Sequence, residues 1–431
     1  MRPTSIFSYP LLLAVLALAG CSVNPVTGEN QFSIMSADQE VAMGQKNYIP
    51  SQQSQGGRYV VDPDLTVYVK RVGQKLAAVS DRKQLPYDFV VLNNSVPNAW
   101  ALPGGKIAIN RGLLLELDDE AQLAAVLGHE IVHAAARHGA TQMTQQTLLG
   151  IGAQVAGIAA DRAGYGALGA TGAQMGAAAW QAHYGRSQEL ESDNYGMEYM
   201  ARAGYEPQAA VELQQTFVRL SQSRQTSWID GFFASHPPSQ QRVDANRAKA
   251  AQLPSGERNR AAYQRAIAQI KKDKPAYDAL EAGIKAANDK SYDKALSLVN
   301  KAAQLQPREP SFWEFKGALL AHKKQNSQAL AAYGKAINAN PEHYSGYLRR
   351  GLLQRQLGKN QAAEQDLERS LRILPTQMAS YQLGKLALER GNKGRATGFF
   401  QQTAQGGGEL GQAAQQELTK LQPAQPANQG Q

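Results

Sequence analysis

Cysteine is nearly absent: Cys21 is the only one in 431 residues. No disulfide can therefore form within the chain, and no other thiol is there to be oxidised. Long apolar runs are missing too. The stretch from Leu11 to Leu18 is far shorter than the roughly 20 residues of a spanning helix. A second stretch, 150–179, is 19 of 30 Gly or Ala, but Asp161-Arg162 inside it argue against a span. Acidic residues are in deficit, leaving a formal net charge of +9. The deficit is local: residues 276–397 hold 19 Lys and Arg against 11 Asp and Glu.

What is present begins with an export signal. Arg2, the short apolar run and Leu18-Ala19-Gly20-Cys21 have the layout of a secretory signal, and its end resembles a bacterial lipobox. On that reading residues 1–20 are removed and Cys21 becomes a lipidated N-terminus, each buried methylene worth about 0.8 kcal/mol of anchoring. The protein would then work in the periplasm. Ser22, where inner-membrane lipoproteins of this kind often carry Asp, favours the outer membrane. An exported chain does not meet nucleic acid. The basic surface therefore points to anionic lipid, lipopolysaccharide or an acidic protein segment, with an ordinary solvated surface as the plain alternative.

The chemistry centres on His129-Glu130-Ile131-Val132-His133, an H-E-x-x-H pattern. On a helix, residues four apart share a face, so the two imidazoles can grip one metal ion while Glu130 reaches the water beside it. Asp118-Asp119-Glu120 place acid at the positive end of that helix, and Leu123, Val126, Leu127 and Ile131 supply its buried stripe. A metzincin would need Gly at 136 and His at 139, where this chain has Ala136 and Gly139. His138 reads instead as a partner of the helix C-terminal dipole. A site of two His, one carboxylate and water can be completed by Glu189 on a second helix. Asp193, one turn on, can accept a ring N–H from a bound His and fix its tautomer; a solvated acidic face is the other reading of that run.

Three further features bear on the site. His236, stiffly placed by Pro237-Pro238, has three open roles: a fourth ligand in a resting state, a donor to the oxyanion, or a structural turn. Gly104-Gly105 makes a turn before Lys106 to Asn110, which alternates like a half-buried strand. As an edge strand beside the metal, Ile107, Ala108, Ile109 and Asn110 would hold an extended peptide; a plain hairpin on the core is the alternative. The Gly/Ala stretch 150–179 reads either as close-packed helices or, in the preferred reading, as a mobile lid.

Six motifs in order resemble the gluzincin family of zinc peptidases that includes the CAAX prenyl protease and the HtpX heat-shock protease, and within it the periplasmic branch. They are Asn24 to Gly28, Asn98-Ala99-Trp100 with Pro103-Gly104-Gly105, the H-E-x-x-H, Arg186-x-x-Glu189-x-Glu191-x-Asp193, Ala203-Gly204-Tyr205-x-Pro207, and His236-Pro237-Pro238 with Arg242. The resemblance implies an α+β, mainly helical zincin-like domain with a small sheet. It further implies one zinc per chain on His129, His133 and Glu189, with Glu130 as catalytic base and Asp193 behind a ligand. In that branch the histidine matching His236 approaches the zinc and holds the enzyme latent. Ser192 and Gly185 depart from the usual Ala and Ser, at positions that touch no ligand.

The C-terminal third repeats. Gly283, Gly317 and Gly351 are 34 apart, as are Ala295, Ala329 and Ala363, and Pro307, Pro341 and Pro375. This is the period of tetratricopeptide repeats, with a degenerate fourth unit at Gly384 and Ala396. The expected layout is a signal peptide at 1–20, a metalloprotease domain at 21–256, a helical connector at 257–275, an all-α solenoid at 276–411 and a tail at 412–431. Residues 422–431 have a disordered composition. The expected function is a zinc metalloendopeptidase in the quality control or assembly of outer-membrane proteins, its substrates being unfolded or misassembled ones. Its repeats would recruit them or dock to the beta-barrel assembly machinery. A non-proteolytic chaperone or scaffold is the competing reading, and the intact Glu130 counts against it.

Overall fold

The computed structural model describes residues 21–147, 184–222 and 232–421. The expected signal peptide, the Gly/Ala stretch 150–179 and the tail 422–431 lie outside the described residues. The chain divides into two compact units, the first ending at Lys271 and the second beginning at Lys272.

Local signals set the first unit's elements. Strands β1 (Cys21–Val23) and β2 (Asn30–Phe32) pair antiparallel. Helix α1 (Ala37–Ser54) opens on a reciprocal capping box: Gln39 N–H donates to Ser36 Oγ at 3.2 Å and Ser36 N–H to Gln39 Oε1 at 2.8 Å. Helix α2 (Pro63–Ala77) has Asp62 as its cap and buries Leu65, Val69, Val72 and Leu76, a stripe at helical spacing.

Strands β3 (Asp88–Leu92), β4 (Ala99–Leu102) and β5 (Lys106–Asn110) form one sheet in the order β3-β5-β4. Strand β5 is thus central, parallel to β3 and antiparallel to β4. This corrects the expectation that Ile107, Ala108, Ile109 and Asn110 form a peptide-holding edge: β5 is laddered on both sides and all five of its residues are buried. Its polar ends gave the false impression of a half-buried strand. Lys106 Nζ donates to Pro86 O at 2.7 Å and Asn110 Nδ2 to Val96 O at 2.9 Å, so both are satisfied inside. On the far side of β3, Val91 O accepts Tyr59 N–H at 2.9 Å, which leaves β4 as the sheet's open edge among the described residues.

Helix α3 (Glu120–Ala135) carries the H-E-x-x-H residues and is buried nearly throughout, with Asp119 capping it through Gln122 N–H at 3.0 Å. Helices α4 (Arg186–Arg202), α5 (Gln208–Gln222), α6 (Gln240–Ala250) and α7 (Arg260–Ala266) follow. The Tyr263 hydroxyl donates to Leu114 O at 2.6 Å and Gln264 Nε2 to Asp118 O at 2.8 Å. The first part of the expected connector therefore packs as part of the first unit, whose end moves from 256 to 271.

Helices α8 (Ala268–Asn288), α9 (Tyr292–Leu305), α10 (Pro310–His322), α11 (Asn326–Ala339), α12 (Tyr344–Gln356), α13 (Asn360–Ile373), α14 (Gln377–Glu389) and α15 (Lys393–Gln405) follow the 34-residue period. A Cβ on Gly317, Gly351 or Gly384 would lie 3.0 Å or less from Tyr333, Leu367 or Phe400 on the next helix, which accounts for glycine at those three positions; at Gly283 it would meet nothing nearer than 3.4 Å. Helix α16 (Gly408–Leu421) closes the array, so the expected tail boundary at 412 falls inside a helix. Among the described residues no helix is long and apolar enough to cross a membrane.

Candidate metal centre

Two helices bring the donors together because they touch at glycine. Helices α3 and α4 cross at Gly128 and Gly196: a Cβ on either would come within 3.0 Å of the other helix's backbone. His129 follows Gly128 directly, and Asp193 and Glu189 lie about one and two turns before Gly196. His236 arrives from the one-turn helix Phe232–Ser235, its ring stacked on Phe232 with centroids 4.6 Å apart.

The donor atoms of His129, His133, Glu189 and His236 all lie within 4.8 Å of one another, and all four residues are buried. His129 Nε2 is 3.0 Å from His133 Nε2 and 3.2 Å from His236 Nδ1. Glu189 Oε1 is 3.4 Å from His133 Nε2 and 3.1 Å from His236 Nδ1, and its Oε2 is 3.6 Å from His129 Nε2. A tetrahedral zinc with bonds of about 2.0–2.1 Å keeps its ligands about 3.3 Å apart, so this spacing fits. Orphaned oxygens agree: Glu189 Oε2 and both Glu130 oxygens are buried without a hydrogen-bond partner.

The next layer is ionic. Asp193 Oδ1 is 2.9 Å from His129 Nδ1, as expected for a group that fixes the ring. Arg242 grips Asp193 with two hydrogen bonds, Nε to Oδ2 and Nη2 to Oδ1, both 2.7 Å. Arg242 Nη1 donates to Pro237 O at 3.1 Å and sits 2.7 Å from Glu189 Oε2, out of line for a hydrogen bond. The sequence showed Arg242 only as a motif member; its spacing from His236 was the signal, and its role needed the fold. The expectation for His138 is corrected, because its Nδ1 lies 2.9 Å from His133 Nδ1 and so it serves a candidate ligand rather than a helix end. Tyr184, which sequence reasoning passed over, stacks on His133 with ring centroids 3.6 Å apart.

Burial and charge then separate the carboxyls. Burial pushes Glu130 up against the pull of His236 and His129. Burial also acts upward on Asp193 and Glu189, but it is outweighed: Arg242 and His129 hold Asp193 low, and His236, His129 and Arg242 hold Glu189 well below the usual range. Burial drives His133 well down, toward the neutral imidazole that binds a metal. His236 is raised, burial being overcome by Glu189 and Glu130. Its Nε2 lies 3.3 Å from Glu130 Oε1, so His236 touches both a donor and the expected base.

Comparison with known proteins fits this geometry. Residues 63–250 match the family model of peptidase family M48, and residues 344–376 that of a tetratricopeptide repeat. The beta-barrel assembly-enhancing protease of Yersinia pestis is 31% identical over 238 residues, covering 53% of this chain and 47% of that protein. That of Escherichia coli strain K12 is 31% identical over 236 residues, with the same coverage of 53% and 47%. The mitochondrial metalloendopeptidase OMA1 of Schizosaccharomyces pombe is 30% identical over 229 residues, covering 51% of this chain and 63% of that protein. The chain thus spans about half the length of the bacterial relatives, 47% of each.

Proposed function

From a chain that joins a peptidase family M48 domain to tetratricopeptide repeats, we propose a zinc-dependent endopeptidase of the periplasm that acts in the quality control or assembly of outer-membrane proteins. The observation that carries this reading is Glu130, a buried carboxylate whose oxygens make no hydrogen bond, beside a four-donor cluster. A purely structural metal site has no use for it, which counts against the scaffold reading.

His129, His133 and Glu189 would hold the ion. Bound there, zinc supplies Lewis acidity, polarising the scissile carbonyl and lowering the pKa of a water toward about 7. Glu130, whose carboxyl burial already pushes up, accepts that water's proton and returns it to the leaving amine. Asp193, braced by Arg242, keeps His129 turned with Nε2 toward the other donors. His236 completes a four-donor resting state that substrate must displace.

Substrate would add to the open edge of β4. Asn98 O accepts Asn110 N–H at 2.8 Å, so by antiparallel alternation Trp100 and Leu102 face β5 while the N–H and C=O of Ala99 and Ala101 turn outward. Ala101 and Leu102 line the same small cavity as His133. Main-chain pairing there selects extended chain over folded chain, which suits unfolded substrates. The lipobox supports the location and an anchor at Cys21, the relatives' names support the substrate class, and the basic repeats suit recruitment of substrate or of the assembly machinery. To test this, an outer-membrane barrel protein is offered unfolded and folded. Cleavage of the unfolded form alone is expected; cleavage of casein with both barrel forms spared would overturn the substrate class while leaving a peptidase.

A further inference from the structure

His133 turns Nε2 toward the other donors, so its ring proton sits on Nδ1 and needs an acceptor. That acceptor is His138 Nδ1, 2.9 Å away. His138 can accept there only with its own proton on Nε2, and Nε2 faces Glu191 Oε1 at 3.3 Å, off the straight line of a hydrogen bond. Asn24 Nδ2 donates to the same Glu191 oxygen at 2.7 Å. Asn24 is itself fixed by a turn: its Oδ1 accepts Val26 N–H at 2.9 Å, and its backbone N–H donates to Glu29 O at 2.8 Å. An amide suits this position because it has an acceptor for the turn and donors for the carboxylate.

A strained residue aims His138 at its target. Arg137 has φ of +67°, uncommon for a residue with a side chain, and this left-handed step follows Ala136, the cap residue of α3, and delivers His138 to His133. The step is locked from α1. Glu40 pairs with Arg137 and also with Arg82 at 3.0 Å, and Arg137 Nη2 donates to Met35 O. Asn24, Met35 and Glu40 all precede residue 63, where the family match begins.

We propose that Asn24, Glu191 and His138 are positioning residues for His133, so that the segment 24–40 is part of the metal centre although it lies outside the matched peptidase domain. The proposal rests on the reading of His129, His133 and Glu189 as zinc ligands. The test uses the full chain in four variants: His138→Leu, His138→Asn, Glu191→Gln and Asn24→Ala. Asn is chosen because its side-chain oxygen can stand where Nδ1 accepts. Zinc affinity is measured by chelator competition, ligand geometry by the visible spectrum of the Co2+-substituted protein, and integrity by the Tm of the metal-free protein. His138→Leu should weaken zinc about 10- to 100-fold and alter the Co2+ spectrum, with His138→Asn restoring most of both. Glu191→Gln and Asn24→Ala should shift both in the same direction by less, with little change in metal-free Tm. Wild-type affinity and spectrum in His138→Leu would overturn the role of His138. If His138→Leu fails to fold, Asn24→Ala decides, since it touches no ligand: an unchanged affinity and spectrum there would overturn the proposal. Failure of the wild type itself to bind zinc would instead overturn the metal reading beneath it.

Discussion

Glu130 and Asp193 are both buried carboxyls beside the same histidine, yet their surroundings drive them apart. Glu130 has burial and no hydrogen bond, so its proton is held more tightly; Asp193 has Arg242, so it stays ionised. One is thereby suited to carry a proton and the other to hold a ring, as paired carboxyls in active sites commonly are. Glu130→Gln should keep zinc and lower kcat at least 10²-fold, in the range of about 10²- to 10⁴-fold for a lost general base, measured by steady-state cleavage. Asp193→Asn should act on the metal instead, weakening zinc about 10- to 100-fold by chelator competition. At this scale the candidate ligands were legible because H-E-x-x-H is a local pattern and Glu189 with Asp193 repeats its helical spacing. His138 was not, although it lies five residues from His133: the left-handed step at Arg137 that redirects it leaves no mark in the residue type.

Helices α3 and α4 deliver their donors to one point because neither has a side chain where they cross. A Cβ on residue 196 would lie 3.0 Å from His129 N and 3.1 Å from Gly128 C, both of them backbone atoms that cannot swing aside. Gly196→Ala gains up to about 1 kcal/mol of helix propensity. Overpacking costs about 1–3 kcal/mol, so the net change should destabilise and loosen the metal site. A fall in both Tm and zinc affinity is expected, and a rise in Tm with zinc binding intact would show that the helices can part. The repeat helices offer a test by pH. Burial acts upward on Glu314, but His343, Ser345 and Arg349 outweigh it and hold its carboxyl below the ordinary 4.5. With a lowered folded value, its stabilisation is full above the unfolded value and is lost as pH falls through the folded one. Glu314→Gln should therefore destabilise the array at pH 7 and flatten the loss of stability below about pH 4.5, read from denaturant midpoints. Periodicity made these helices legible from sequence. Sheet order was not, because β5 becomes central only through partners brought in from both sides, and a central strand with satisfied Lys106 and Asn110 ends looks like an edge strand in one dimension.

The whole molecule combines two kinds of stability. The first unit gathers a candidate metal site and the hydrogen-bonded groups behind it from residues 24 to 242, while the second sums repeats that each pack on their neighbours. Zinc that binds only the folded first unit should stabilise it by about 2.7 kcal/mol at a hundredfold excess over Kd. Calorimetry should show the transition of that unit rising with zinc and falling with chelator, while the repeats unfold at an unchanged temperature. The most direct test is one assay on the zinc-loaded full chain: zinc per chain measured alongside cleavage of unfolded casein by the wild type, Glu130→Gln and His236→Ala. About one zinc in each is expected, with cleavage fastest in His236→Ala, slower in the wild type and at least about 10²-fold slower again in Glu130→Gln. Cleavage surviving at the wild-type rate in Glu130→Gln, with zinc still bound, would contradict the role of Glu130 as the base on which the peptidase reading stands.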